Sequence, residues 1–200
     1  MKRTRQRANP WADHYTRKAK KDKFPARSVY KLQEMQRKFR LIKQCDRVLD
    51  LGCAPGSWLK YTAEQVGGKG HVVGVDLKPV AIELPSHVRV LTGDVFKMAD
   101  ELIEVGGTGY DLVISDMAPA TTGNKSIDAA RSFDLGCQAL TLAQKLLLPQ
   151  GRFACKIFQG EDFNHYMEMV KTAFKTNKIF KPKSSRKASR EIYILGFNMR

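Results

Sequence analysis

Val48-Leu49-Asp50-Leu51-Gly52-Cys53-Ala54-Pro55-Gly56-Ser57-Trp58 is the stretch on which the reading of this chain turns. A short apolar run ends in Asp-Leu-Gly, passes through small residues and opens into a helical pattern: a strand, a tight turn and a helix N-terminus. Gly52 and Gly56 permit backbone angles or close approaches that a Cβ would block. A ligand can then lie against bare peptide N–H groups at the helix start. Ala54 and Pro55 interrupt the dinucleotide fingerprint G-x-G-x-x-G, and no Gly-Lys-Ser/Thr follows as in a P-loop. Asp50, ahead of the first glycine, suits a ligand with an ammonium group better than a pyrophosphate. That combination points to S-adenosylmethionine. The plainer alternative is an ordinary strand-to-helix turn with convenient glycines.

The same alternation continues outward. Upstream, residues 28–42 read as a helix, with Ser28 as N-cap and Val29, Leu32, Met35, Phe39 and Ile42 along one face. Strands are expected at 47–51, 71–76, 88–91, 110–116, 152–158, 178–181 and 192–197. Helices are expected at 58–66, 129–148 and 163–175. Strands alternating with helices imply an α/β fold with a mostly parallel sheet of seven strands and helices on both faces. Ligands of such sheets bind beyond the carboxyl ends of the strands, near the topological switch point. Asp50, Asp76, Asp94 and Asp116 all fall at or just past strand ends, so they share one rim. Asp76 is placed to accept from the hydroxyls of a ribose, and Asp94 from an adenine amino group. Singly, each is as readily a cap or turn former. Four at successive strand ends form an acidic rim suited to a cationic nucleoside.

Charge supplies the second clue. The 200 residues carry 35 Lys and Arg against 20 Asp and Glu, a net +15. Residues 1–27 alone hold ten basic and two acidic side chains, a net +8. Lys175, Lys178, Lys181, Lys183, Arg186, Lys187 and Arg190 form a second basic cluster. Two basic ends around a near-neutral middle read as a nucleic-acid footprint; a solubilising surface is the alternative. Trp11, Tyr15, Phe24 and Tyr30 argue against a plain disordered tail. Residues 1–27 are therefore expected to be a basic RNA-binding arm, and 28–200 a single domain. No apolar run reaches the roughly 18 residues of a membrane span, and the basic N-terminus lacks the apolar core of a signal peptide. Cys45, Cys53, Cys137 and Cys155 are scattered without a C-x-x-C pair, which argues for reduced thiols in a cytoplasmic protein rather than disulfides or zinc.

Lys156 stands within the apolar strand Phe153-Ala154-Cys155-Lys156-Ile157-Phe158. A lysine there is unusual unless it is paired or functional, or unless the strand is an edge and the side chain points to water. Lys31 lies on the first helix after the basic arm, and Glu191 opens the last strand.

Taken together, Arg27-Ser28-Val29-Tyr30-Lys31-Leu32, the segment 50–58, Ser115-Asp116-Met117-Ala118-Pro119, Lys156-Ile157-Phe158-Gln159-Gly160, and Ser184-Ser185-Arg186 through Arg190-Glu191-Ile192-Tyr193 are specific. The chain resembles the FtsJ/RrmJ (RlmE) family of ribosomal RNA ribose 2′-O-methyltransferases from about residue 17 to its end. The resemblance implies a Rossmann-like fold and a Lys-Asp-Lys-Glu tetrad at Lys31, Asp116, Lys156 and Glu191. It also implies a large-subunit ribosomal RNA substrate and an A-loop uridine on the ribosomal particle. The sequence shows no metal-ligand cluster and the transfer requires no metal, and a monomer is expected. The cofactor-binding set expected from loop and rim is Asp50, Gly52, Pro55, Gly56, Trp58, Asp76, Asp94 and Asp116.

The tetrad also makes sense as chemistry. A ribose hydroxyl must lose its proton around the time it attacks, and an amine accepts a proton only when neutral. A free lysine ammonium, with a pKa near ~10.4, is mostly charged at neutral pH. Burial and a second lysine favour the neutral form, while carboxylates oppose it. Lys156 is the expected proton acceptor, Asp116 its orienting partner facing the methyl donor, and Lys31 and Glu191 position the ribose. Rival readings are a methyltransferase for tRNA or an mRNA cap, a non-catalytic ribosome-assembly factor, and, more remotely, a nicotinamide-dependent dehydrogenase.

Overall fold

A computed structural model describes residues 10–107 and 109–200, with side chains from His14 onward. The strands are β1 (Arg47–Leu51), β2 (His71–Asp76), β3 (Val88–Thr92), β4 (Tyr110–Ser115), β5 (Leu147–Phe158), β6 (Phe174–Phe180) and β7 (Glu191–Met199). They form one seven-stranded sheet in the order β3-β2-β1-β4-β5-β7-β6. The first five are parallel to one another, and β7 runs antiparallel between β5 and β6. The mostly parallel Rossmann-like sheet read from the sequence is the one observed. Its chain order reverses between β1 and β4, so the loops leaving these two strands flank the switch point.

The helices are α1 (Pro10–Lys21), α2 (Val29–Phe39), α3 (Ser57–Val66), α4 (Ala99–Gly106), α5 (Lys125–Leu146) and α6 (Phe163–Ala173). Strand side chains alternate between faces. Leu49, Leu51, Phe153, Cys155, Ile157, Ile192 and Ile194 pack in one core with Leu102 of α4, Ala139 and Leu146 of α5, and Tyr166 and Val170 of α6. Val48, Ala154, Tyr193 and Leu195 pack in the opposite core with Leu32 and Met35 of α2 and Trp58 and Leu59 of α3. Lys156 is two residues from Ala154, so it faces the α2–α3 side. No described helix is long and apolar enough to cross a membrane.

Several boundaries differ from the sequence reading. Ser28 stands at the N-cap position of α2, but its backbone is already right-handed helical and its side chain makes no capping bond. The chain enters α2 through a turn, with Tyr30 N–H donating to Arg27 O and Lys31 N–H to Ser28 O, so backbone groups close the first turn. The helix stops at Phe39, where Arg40 turns left-handed, and Leu41 and Ile42 enter the core separately. There Gln36 brackets Ile42 through its N–H and C=O, at 2.7 and 2.8 Å. The long helix starts at Lys125, before residue 129, because the Asn124 side chain accepts from Ser126 N and Ile127 N. β6 follows α6 directly from residue 174, ahead of the expected 178. The sequence reading missed α4, a short 3-10 turn at Val95–Lys97, and α1.

Helix α1 belongs to the segment read as a basic arm. Lys2, Arg3, Arg5 and Arg7 and the side chain of Trp11 lie outside the described residues. From residue 14 onward the segment is docked on the body. Tyr15 and Tyr30 rings lie 5.4 Å apart, Lys18 sits 4.6 Å over the Tyr30 ring, and Tyr30 donates to Asp22 at 2.9 Å. Ala26 N–H donates to Ser57 Oγ at 2.6 Å, which ties the segment to the start of α3.

Away from the carboxyl rim, Arg152 of β5 bonds Asp46 Oδ1 at 2.7 Å and the carbonyl of Leu41 at 2.6 Å. Both partners of this pair are less than one-tenth exposed.

Candidate active site

Two cavities open at the carboxyl ends of the strands. The first, about 300 Å³, lies over the switch point and is lined by Gly52 and Ala54, Asp76 and Leu77 after β2, Gly93 to Phe96 after β3, and Asp116 to Ala118 after β4. The second, about 460 Å³, lies between the start of α2 and the β6–β7 loop and is lined by Arg27, Ser28, Lys31, Arg186, Ala188, Ser189 and Glu191.

Gly52 has φ +77°, and a Cβ on it would run into the Met117 side chain, so the β1 and β4 loops touch where the chain order reverses. Gly56 serves a different end. It caps α3 at φ +103°, and a Cβ there would meet Ile82 and Val80 of the β2–β3 loop, so its close approach is to apolar packing. Asp76 holds the glycine loop in place: Oδ2 accepts from Ala54 N–H and Oδ1 from Lys78 N–H, both at 2.9 Å. Asp94 lines the same cavity and accepts from Phe96 N–H at 3.2 Å, as a cap of the 3-10 turn. Pro55 follows a cis peptide bond and is exposed, outside the lining. Trp58 also lies outside the lining: it is buried against Tyr193, with ring centroids 5.9 Å apart, and its Nε1 donates to Ser28 O at 2.9 Å.

Asp50 is 1% exposed, and neither carboxyl oxygen has a partner among the described residues. Burial, with the Asp116 and Asp76 carboxylates nearby, pushes this carboxyl well above the ordinary carboxylate range. The same burial, with Asp50 close by, pushes the Cys53 thiol up.

The four residues of the expected tetrad lie together. Lys156 Nζ bonds Asp116 Oδ1 at 3.0 Å and the Asp116 carbonyl at 2.5 Å. Lys31 Nζ bonds Glu191 Oε2 at 2.8 Å and stands 3.9 Å from Asp116 Oδ1. The topology accounts for this. β5 lies between β4 and β7, so Lys156 is an interior-strand lysine, 7% exposed, and the edge-strand alternative does not apply. Its Cα partner across the antiparallel pair is Tyr193, and Phe158 pairs with Glu191. Alternation puts Lys156, Tyr193 and Glu191 on the face that α2 covers with Lys31.

Sequence reasoning assigned no role to Tyr193. Its hydroxyl donates to Asp116 Oδ1 at 2.5 Å, and the side chain is fully buried. The available signal was spacing: a residue two after Glu191 on a strand shares its face. Tyr193, Lys156 and Lys31 thus converge on one carboxylate oxygen. Burial raises the Asp116 carboxyl, but the charges of Lys156 and Lys31 and the hydrogen bonds from Tyr193 and Lys156 outweigh it and hold it below its ordinary value. Asp116 is therefore an anion across the physiological range.

The cluster forms the partition between the cavities, with Asp116 lining the first and Lys31 and Glu191 the second. In the second cavity burial and the neighbouring Arg186 push the Arg27 guanidinium below its ordinary value, while Glu191 and Tyr15 oppose them. Two guanidinium groups sharing a pocket favour an anion between them.

A family model described as FtsJ-like methyltransferase matches residues 24–199. A protein of Desulforapulum autotrophicum named "Ribosomal RNA large subunit methyltransferase E" is 57% identical over 194 residues, covering 97% of this chain and 96% of that protein. One of Desulfatibacillum aliphaticivorans with the same name is 49% identical over 198 residues, 99% and 96% of the two chains. Among solved structures, a Plasmodium falciparum protein described as a ribosomal RNA methyltransferase superposes with a TM-score of 0.79 at 27% identity, over 88% of this chain and 98% of its own. Fibrillarin of Aeropyrum pernix, solved with bound S-adenosyl-L-methionine, superposes at 0.55 over 78% of this chain and 68% of its own; at 14% identity it speaks for the fold alone. The chain belongs to the FtsJ-like methyltransferase family.

Proposed function

We propose that this protein methylates a ribose 2′-hydroxyl of large-subunit ribosomal RNA, at an A-loop uridine of the assembled or nearly assembled particle, with S-adenosyl-L-methionine as donor. The observation that carries the reading is the partition itself: Lys31, Asp116, Lys156 and Glu191 separate an acid-rimmed cavity from a basic one. A methyl donor on one side and an RNA nucleotide on the other would meet across this cluster. The names carried by the close relatives support the choice of large-subunit RNA.

The first cavity fits the donor. Gly52 and Asp76 line it at the switch point and the end of β2, and the unpartnered buried carboxyl of Asp50, just outside the lining, gains from the approach of a cation. When bound, S-adenosyl-L-methionine supplies a methyl carbon already activated by its sulfonium. The chain's contribution is then positioning and proton removal. Lys31 and Glu191 orient the ribose, with Arg27 and Arg186 on the flanking phosphates. Lys156 takes the 2′-hydroxyl proton. The Oδ1 and backbone oxygen of Asp116 hold the Lys156 nitrogen at two points and leave its remaining position for the lone pair that takes that proton. Asp116, fixed by Tyr193, sets the direction of the lone pair. Every member of the cluster comes from one chain, so a monomer suffices, and four free thiols suit the reducing cytoplasm.

Transfer of labelled methyl groups to large ribosomal particles, followed by mapping of the labelled nucleotide, tests the reading. A methyl group on the 2′-oxygen of an A-loop uridine is expected; label on a base, on tRNA or on small-subunit RNA overturns it. A second expectation concerns the donor cavity. Asp76→Ala weakens donor binding by about 1.5–3 kcal/mol, the range for a hydrogen bond to a charged group. Wild-type affinity of that variant by calorimetry removes Asp76 from the site.

A further inference from the structure

We propose that Glu34 is a positioning residue for RNA binding: it holds the basic β6–β7 loop against α2, in the shape that makes one wall of the second cavity. The inference rests on the reading of that cavity as the RNA side of the site.

The loop, residues 181–190, carries Lys181, Lys183, Arg186, Lys187 and Arg190. Five cations in ten residues repel one another, and the loop's own bonds are two turns, Ser185 N–H to Pro182 O at 3.1 Å and Ser189 N–H to Arg186 O at 2.9 Å, with Lys181 Nζ donating across it to Ser189 O at 2.9 Å. The loop's exit is held by Gln159 N–H, which donates to Arg190 O at 3.0 Å, and its entry is tied to α2 by one carboxylate. Glu34 Oε2 accepts from Lys183 N–H at 2.7 Å, and Oε1 from Ser184 N–H at 2.8 Å. Arg27 Nη2 donates to the carbonyl of the same Ser184 at 2.6 Å. Ser184 is thus held through both its backbone groups and is 1% exposed, although its neighbours Lys183 and Arg186 are exposed.

Glu34 follows Lys31 by one turn of α2. The helix that presents Lys31 to Glu191, at the exit of the loop, also presents Glu34 to its entry. Arg186, Ala188 and Ser189, which line the cavity, lie between these two anchors. A carboxylate on a surface built for a polyanion would oppose RNA if it were unengaged. Here two backbone N–H groups occupy its oxygens and turn it inward. Without it, the entry of the loop keeps only the Arg27 bond to Ser184 O, and more of the loop's ordering falls to the moment of RNA binding.

The test is steady-state kinetics with large ribosomal subunits that lack the methyl group. Glu34→Ala is expected to raise KM for the particle about tenfold, the scale of losing a charge-assisted anchor, with kcat changed much less and donor affinity unchanged. Glu34→Gln keeps one acceptor oxygen and falls between, and it serves as the readout if the alanine variant folds poorly. Hydrogen exchange at the Lys183 and Ser184 amides should quicken in both variants. A merely structural residue would lower kcat, donor affinity and melting temperature together, and that result overturns the proposal, as does a wild-type KM with slow amide exchange. Arg186→Ala is the companion variant. If it raises KM while Glu34→Ala does not, the anchor is wrong and the RNA cavity stands; if neither raises KM, the assignment of the cavity falls as well.

Discussion

Lys156→Ala is expected to lose most turnover, on the order of 10²–10⁴-fold, the range for removing a general base. Donor binding should survive, since Gly52, Asp76 and the rest of the first cavity are untouched. Lys156→Arg should not rescue. A guanidinium stays protonated and cannot accept the hydroxyl proton. Its planar fork is also larger than the space around an amine that is 7% exposed and bonded to two oxygens of Asp116. Single-turnover methyl transfer across a pH series decides the matter. Near-wild-type rates for the arginine variant would mean that the position needs only positive charge, and proton acceptance would have to move elsewhere. Glu191→Ala should cost less, because it removes a positioning contact to Lys31 and leaves Lys156 and Asp116 in place. Asp116 is held ionised by Lys156, Lys31 and Tyr193, so its protonation does not limit the reaction near neutral pH.

The second large effect is on stability, far from the chemistry. Arg152→Ala leaves Asp46 buried without its cation, and Leu41 O without its donor. Breaking a buried pair from one side costs about 3–5 kcal/mol. For a chain of this length that lowers the melting temperature on the order of 10 °C. Urea unfolding measures the loss directly, and a change below about 1 kcal/mol would show that water or rearrangement replaces the pair. The double variant Arg152→Met with Asp46→Leu should recover part of the stability, because an apolar pair removes the desolvation penalty of both charges while Leu41 O and Lys43 N–H still lose their partners. Methyl transfer by the folded fraction should be unaffected in either variant.

The elements with strong periodicity were legible from the sequence. β1, β2 and β4, the long α5 and the glycine loop follow from apolar runs, alternation and glycine chemistry, which act over a few residues. Asp50, Asp76, Asp94 and Asp116 could be placed on one rim because βα alternation puts the carboxyl ends of parallel strands on one edge. Helix ends were less legible. Ser28 has the chemistry of a cap, yet the turn before it closes the helix with backbone bonds, and that turn depends on Ala26 meeting Ser57 thirty-one residues away. α4 is eight residues long, too short for its period to stand out.

Other features needed the tertiary fold, because they depend on which strands become neighbours. Lys156 could have been an edge-strand lysine until β7 was found between β5 and β6. The same insertion sets Tyr193 opposite Lys156 and brings Glu191 to Lys31, 160 residues away in the chain. Trp58, which sequence reasoning placed with the cofactor, is buried behind the cavity because its helix turns that face toward Tyr193. Glu34 carries no local signal: its partners are two backbone N–H groups about 150 residues later, and a side chain bonded to backbone leaves no trace in residue type. The residue chemistry of the site is written in the sequence by itself, since charge, glycine and strand-end position are local properties. Which groups share an oxygen or a cavity is decided only when the sheet assembles.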